Sequence, residues 1–109
     1  MCKEIGISEF GEIYDFDMKK FNVTKATIVE FFADWCHPCK VVERNLNDIT
    51  KGKDINVVKI NSEEAHSLVE SFQIRNLPNM LLIKSDGEAK QVSGNLSKFE
   101  LEDIVDELM

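Results

Sequence analysis

Apolar residues fall along this chain in blocks whose spacing switches between the strand period and the helix period. Thr27–Ala33 is apolar on both faces except at Glu30, the pattern of a central strand covered on both sides. Beyond it Val42, Leu46 and Ile49 recur at helical spacing, and Lys51-Gly52-Lys53 ends that helix. Ile55–Ile60 reads as a second apolar strand. Ala65–Phe72 reads as a helix with Ala65, Leu68, Val69 and Phe72 on one face. Met80–Ile83, Ser85-Asp86-Gly87-Glu88 and Ala89–Ser93 predict strand, turn and strand, an antiparallel hairpin. The last helix carries the clearest signal: Ser97 and Glu100 form a capping box, and Leu101, Ile104, Val105 and Leu108 lie at i, i+3, i+4 and i+7. Ahead of the central strand the pattern is weaker. It suggests a strand around Ser8–Ile13 and a helix from Asp15, with Phe16 and Phe21 facing inward. The order βαβαβ then αββα implies an α/β fold with a mixed sheet and helices on both faces.

Length and composition narrow the class. The chain has 109 residues, without repeat, linker or low-complexity tract, which suits one domain over 1–109. A net charge of −7 argues against nucleic-acid binding, which needs clustered Lys and Arg. No stretch approaches the roughly 20 apolar residues needed to span a bilayer. Met1-Cys2-Lys3-Glu4-Ile5-Gly6 lacks the apolar core of a signal peptide, so a cytoplasmic protein is expected. In that compartment a Cys pair is more often catalytic or metal-binding than structural.

The candidate chemistry lies directly after the central strand, at Trp35-Cys36-His37-Pro38-Cys39. Two thiols two residues apart can close on each other within one helical turn. A strand feeding into them puts the pair at a helix N-terminus, where unpaired N–H groups and the macrodipole favour a thiolate. Thiolates attack disulfides, so the spacing implies dithiol–disulfide exchange. Zinc is the competing use of C-x-x-C. Its four ligands would have to come from Cys36, Cys39, Cys2, His37 and His66, with no second C-x-x-C, so no metal is expected. Cys2 reads as an exposed, mobile thiol at a frayed terminus. Trp35 is either a core aromatic or a surface platform beside the dithiol.

Two polar residues interrupt apolar strands. Glu30 lies among Ile28, Val29, Phe31 and Phe32, and an ionised carboxylate there is costly, so a raised pKa is expected. Lys59 breaks Val57-Val58-Lys59-Ile60 in the same way, and adjacent parallel strands would bring the two together. Three readings follow: a structural ion pair, a glutamate turned to solvent, or a proton acceptor beneath Cys39. Leu77-Pro78 marks the start of the strand Met80–Ile83, where the missing N–H is tolerated.

Phe31-Phe32-Ala33-Asp34-Trp35-Cys36-His37-Pro38-Cys39-Lys40, Lys59-Ile60-Asn61, Ile74-Arg75-Asn76-Leu77-Pro78, Asp86-Gly87, Gly94 and Leu96-Ser97 together resemble the thioredoxin family. The resemblance runs from near Phe16 to the C-terminus. It implies the thioredoxin fold, with Cys36 as attacking thiolate and Cys39 as buried resolving thiol. It puts Glu30 in the place of the family's buried Asp and Lys59 in that of its partner Lys. Pro78 is implied to be cis and to face the cysteines. Trp35, Pro38, Asn76, Leu77, Pro78 and Gly94 are implied to form the substrate surface, the Leu77 backbone pairing with an extended substrate segment. Disulfide-containing proteins would be the substrates, with an NADPH-dependent flavin thioredoxin reductase regenerating a monomer that binds no cofactor beyond its own Cys36–Cys39 disulfide. His37 replaces the family's usual Gly, and its ring N–H could stabilise the Cys36 thiolate and make the disulfide more oxidising. Arg44 stands where many members carry Pro, which implies a straighter active-site helix. A protein-disulfide reductase is therefore the leading expectation. A more oxidising oxidase or isomerase, or a non-enzymatic redox-sensitive adaptor, is the alternative.

Overall fold

A computed structural model of the chain describes residues 2–109. Its main sheet has five strands: β1 (Lys3–Glu4), β4 (Thr27–Phe32), β5 (Asn56–Asn61), β6 (Asn79–Ile83) and β7 (Ala89–Ser93). They are arranged in the order β1-β5-β4-β6-β7. β1, β5 and β4 run parallel, β6 is antiparallel to β4, and β7 is antiparallel to β6, which gives the mixed sheet expected. All six residues of β4 are buried, because the strand sits mid-sheet with helices over both faces.

Alternation along β4 sorts the core into two halves. Ile28 joins Val57, Met80 and Leu82 beneath α2 (His37–Ile49) and α4 (Lys98–Leu108), which contribute Val42, Leu46, Leu101 and Val105. Val29 and Phe31 join Ile60, Leu81 and Ile83 on the other face. Phe10 from α1 (Ile7–Phe10) and Leu68 from α3 (His66–Ser71) cover them. Glu30 and Lys59 therefore fall on the α2 face, directly opposite each other in the β4–β5 register. The capping box of α4 is present: the Glu100 amide donates to Ser97 Oγ at 3.2 Å and the Ser97 amide to Glu100 Oε1 at 2.9 Å.

The N-terminal expectations need correction. Ser8–Ile13 is not a strand: the single-turn helix α1 occupies its first half, and the first strand lies earlier, at β1. No helix starts at Asp15. A separate two-stranded ribbon forms there, β2 (Tyr14–Asp15) with β3 (Lys20–Phe21), pairing Tyr14 with Phe21. Asp15 drives the change, since its Oδ1 accepts the amides of Asp17 and Met18 and closes a turn instead of a helix. Phe21 does face inward, edge-on to the fully buried Phe10, whereas Phe16 is 44% exposed.

Candidate active site

β4 delivers the chain into Asp34 and Trp35, and α2 begins at once. Cys36 is the N-cap itself, with extended backbone, and its Sγ accepts the amide of Cys39 at 3.3 Å. That amide is one of the donors every helix start leaves without an intrahelical partner. A sulfur here thus meets both a hydrogen bond and the positive end of the helix dipole, and each stabilises a thiolate more than a thiol. His37 and Pro38 fill the first helical turn, where Pro costs no hydrogen bond. With Arg44 in place of a proline, α2 runs unbroken to Ile49.

Cys36 and Cys39 are joined by a disulfide with Cα atoms 5.4 Å apart, and both residues are buried among Phe32, Ala33 and Leu77. The Leu77–Pro78 peptide is cis, as the family resemblance implied. Pro78 is buried and its carbonyl accepts the amide of Gly94 at 3.0 Å. Gly94 has φ +103°, a backbone conformation that side-chain-bearing residues rarely adopt.

Trp35 is not a core aromatic. It is 70% exposed, its Nε1 donates to Glu63 Oε2 at 3.2 Å, and it borders a groove of about 280 Å³. Asn76 and Leu77 line the same groove, together with Ile74 and Arg75. His37 is exposed at the helix start.

Glu30 is fully buried, and neither carboxylate oxygen has a hydrogen-bond partner. Burial first, and the neighbouring Glu43 charge second, push its pKa up to about 8, against a smaller opposing pull from Lys59. It does not turn to solvent, and among the described residues it forms no ion pair. The sequence-level ion pair of Glu30 with Lys59 is thus corrected. Lys59 Nζ instead binds both oxygens of Glu43, at 3.0 and 3.1 Å, and lies 4.9 Å above the Phe32 ring. Burial works against the Lys59 charge, but the hydrogen bonds and charge of Glu43 outweigh it and hold the ammonium pKa above its ordinary value. Glu43 and Glu63 were missed from sequence. Glu43 did carry a signal, being one helical turn past Cys39 on the same face; Glu63 carried none.

Cys2 also differs from expectation. It is half-buried, its amide donates to Asn47 Oδ1 at 2.9 Å, and its side chain packs against the core beneath α2 and α4. Burial, then the charges of Glu43 and Glu30, push its thiol up to about 12. In the reduced native protein, iodoacetamide at about pH 8 is therefore expected to label Cys36 and leave Cys2 unmodified until denaturant is added. Mass spectrometry reads the outcome, and native labelling of Cys2 at the Cys36 rate contradicts the assignment. Among the described residues no group of three or more His, Cys, Asp or Glu is placed to hold a metal ion.

A Cys36–Cys39 disulfide at a helix start, packed against a cis-proline loop on a mixed sheet, defines a class: the thiol–disulfide oxidoreductases built on the thioredoxin fold. Comparison with known proteins agrees. The thioredoxin family model matches residues 11–107. A thioredoxin of Buchnera aphidicola subsp. Baizongia pistaciae is 36% identical over 83 residues, covering 74% of this chain and 76% of its own. That of Buchnera aphidicola subsp. Acyrthosiphon pisum is 32% identical over 95 residues, covering 85% and 88%. Among solved structures, chloroplastic thioredoxin z superposes with a TM-score of 0.81 at 26% identity, covering 98% of this chain and 93% of that one. The chain belongs to the thioredoxin family, and it is a thiol–disulfide oxidoreductase that acts on protein disulfides.

Proposed function

We propose that this single-domain protein reduces disulfides in substrate proteins by a two-step exchange in which Cys36 attacks and Cys39 resolves. The observation that carries this reading is the capping geometry, with Cys36 Sγ at the helix start already accepting the Cys39 amide. In the first step the Cys36 thiolate bonds to one substrate sulfur and the substrate S–S bond breaks, its other sulfur leaving as a thiolate. In the second, in the fraction of molecules whose Glu30 carboxyl is ionised, Cys39 passes its proton to Glu30 and attacks Cys36 Sγ. The mixed disulfide breaks, the second substrate thiolate leaves, and the Cys36–Cys39 disulfide forms. An acid with a pKa of about 8 is well matched to a thiol, so little driving force is lost in the transfer.

Trp35, Pro38, Asn76, Leu77, Pro78 and Gly94 form the contact surface in this reading. The Leu77 backbone pairs with an extended substrate strand, which accepts many sequences because main-chain hydrogen bonds ignore side chains. His37 tunes the potential, and Lys59 acts on Glu30 through its charge. The protein works as a monomer in a reducing compartment, and an NADPH-dependent flavin thioredoxin reductase returns it to the dithiol.

Dithiothreitol-driven insulin reduction, run alongside equilibration against a glutathione series, tests the reading. Catalysis is expected, with a potential within about 30 mV of that of thioredoxins, a tenfold range in the equilibrium constant. A potential many tens of millivolts more oxidising assigns the protein to oxidase or isomerase chemistry. Absence of catalysis from a reduced, folded protein overturns the enzyme reading.

A further inference from the structure

Three ionisable side chains meet on the α2 face of the sheet, and their charges do not balance. Glu30 comes from β4, Lys59 from β5 and Glu43 from α2, so two carboxylates compete for one ammonium. Register puts Glu30 directly opposite Lys59 on adjacent strands, which lie about 4.8 Å apart in such sheets. Glu43 nevertheless holds the ammonium through both of its oxygens, and both oxygens of Glu30 are left bare. The Phe32 ring under Lys59 helps to fix the ammonium in that position.

We propose that Glu43 is a positioning residue that captures Lys59 and so withholds a counter-ion from the buried Glu30. Glu43 lies four residues after Cys39, which puts the capture site beside the resolving thiol on the same helix face. The pair is only partly exposed, with side chains 22% and 24% accessible, so solvent weakens it less than a surface ion pair. Glu43 thereby acts on Glu30 twice, by its own negative charge and by removing a positive one. Both effects favour the protonated carboxyl, in the same direction as burial. The other groups facing this cluster are the half-buried Cys2 ahead of β1 and Glu4 on β1, which adds to the field at Lys59. Met80, opposite Glu30 on β6, is uncharged. Cys2 stays a neutral thiol through the neutral range and leaves the balance to Glu43 and Lys59.

The consequence for catalysis rests on the reading of Glu30 as the proton acceptor; the capture itself does not. Carboxyl carbon chemical shifts of glutamate-labelled protein separate the two. In the disulfide form neither Cys36 nor Cys39 titrates, so the Glu30 midpoint is read cleanly. Glu43→Ala and Glu43→Gln are each expected to lower that midpoint by about one pH unit or more, as Lys59 becomes free to pair with Glu30. Repeating Glu43→Ala in a Lys59→Met background removes the captured cation, and the shift is expected to fall to less than about half. An unchanged midpoint, or the same shift with and without Lys59, overturns the inference. Stopped-flow resolution of a mixed disulfide then reports on catalysis. If the midpoint moves and the pH–rate profile moves with it, capture reaches the chemistry. If the midpoint moves alone, capture still stands and the proton-acceptor role of Glu30 is what fails.

Discussion

Replacing Cys36 with serine is expected to reduce insulin-reducing turnover to background, because a hydroxyl is neither ionised near neutral pH nor able to form the mixed disulfide. Cys39→Ser is expected to behave differently. It keeps the N-cap sulfur and its helix-dipole environment, so the first attack proceeds and the cycle halts with substrate attached to Cys36. Non-reducing gels and intact mass distinguish the variants: no adduct with Cys36→Ser, a stable adduct with Cys39→Ser that dithiothreitol releases. The asymmetry follows from the fold. Cys36 is the N-cap, next in the chain to the exposed Trp35, whereas Cys39 lies inside the first turn of α2. Sustained turnover by either variant contradicts the two-step exchange, as does an adduct formed on Cys39.

The second large effect concerns Glu30 and runs in opposite directions for stability and for activity. The native carboxyl keeps its proton up to about pH 8, whereas the unfolded chain releases it near 4.5. Between those values the native state binds more protons than the unfolded state, so stability falls as pH rises through the window and stays low above it. The slope, integrated over the window, is worth on the order of 4–5 kcal/mol. Glu30→Leu removes the titrating group at similar volume and satisfies a site whose neighbours are apolar. The variant is expected to lose this slope and to be several kcal/mol more stable than the parent at about pH 8.5. In a chain of this length, melting rises by roughly 4 °C per kcal/mol. Resolution of the mixed disulfide is expected to slow by about 10²-fold, the usual scale for losing a positioned proton acceptor. Denaturant melts of the disulfide form near pH 5 and pH 8.5 test the first part, and single-turnover kinetics test the second. Parallel pH dependence in parent and variant contradicts the assignment. Retaining a buried, unpartnered carboxylate at the centre of the sheet is a local violation of folding rules, the kind that marks chemistry.

Much of this was visible in the order of residues, for identifiable reasons. β4, α2, β5 and α4 were legible because each is long enough to repeat its period several times, and burial on one or both faces leaves little choice of register. The same regularity exposed Glu30: a charge inside an otherwise unbroken apolar strand has nowhere to go but the core. The N-terminal segment failed for the converse reason. α1 is one turn and β2 and β3 are two residues each, too short to show a period. The Asp15 side chain decided the turn by accepting two backbone amides, a local event that hydrophobic spacing does not record.

The spacing of Trp35-Cys36-His37-Pro38-Cys39 after a strand marked a dithiol within one turn with zinc as its competing use, and the family resemblance carried by the residues around it singled out exchange. Contacts between residues distant in the chain were another matter. Lys59 could reach a carboxylate on the neighbouring strand or one on the helix above, and only the packing of α2 over β5 puts Glu43 close enough to take it with both oxygens. Cys2 looked like a loose terminal thiol until β1 paired with β5 and carried it against the core. Trp35 was open between core and surface until Glu63, from the segment after β5, supplied its hydrogen bond. Local period and spacing are properties of a stretch of chain; the choice between partners depends on distances that exist only once the sheet and helices have packed.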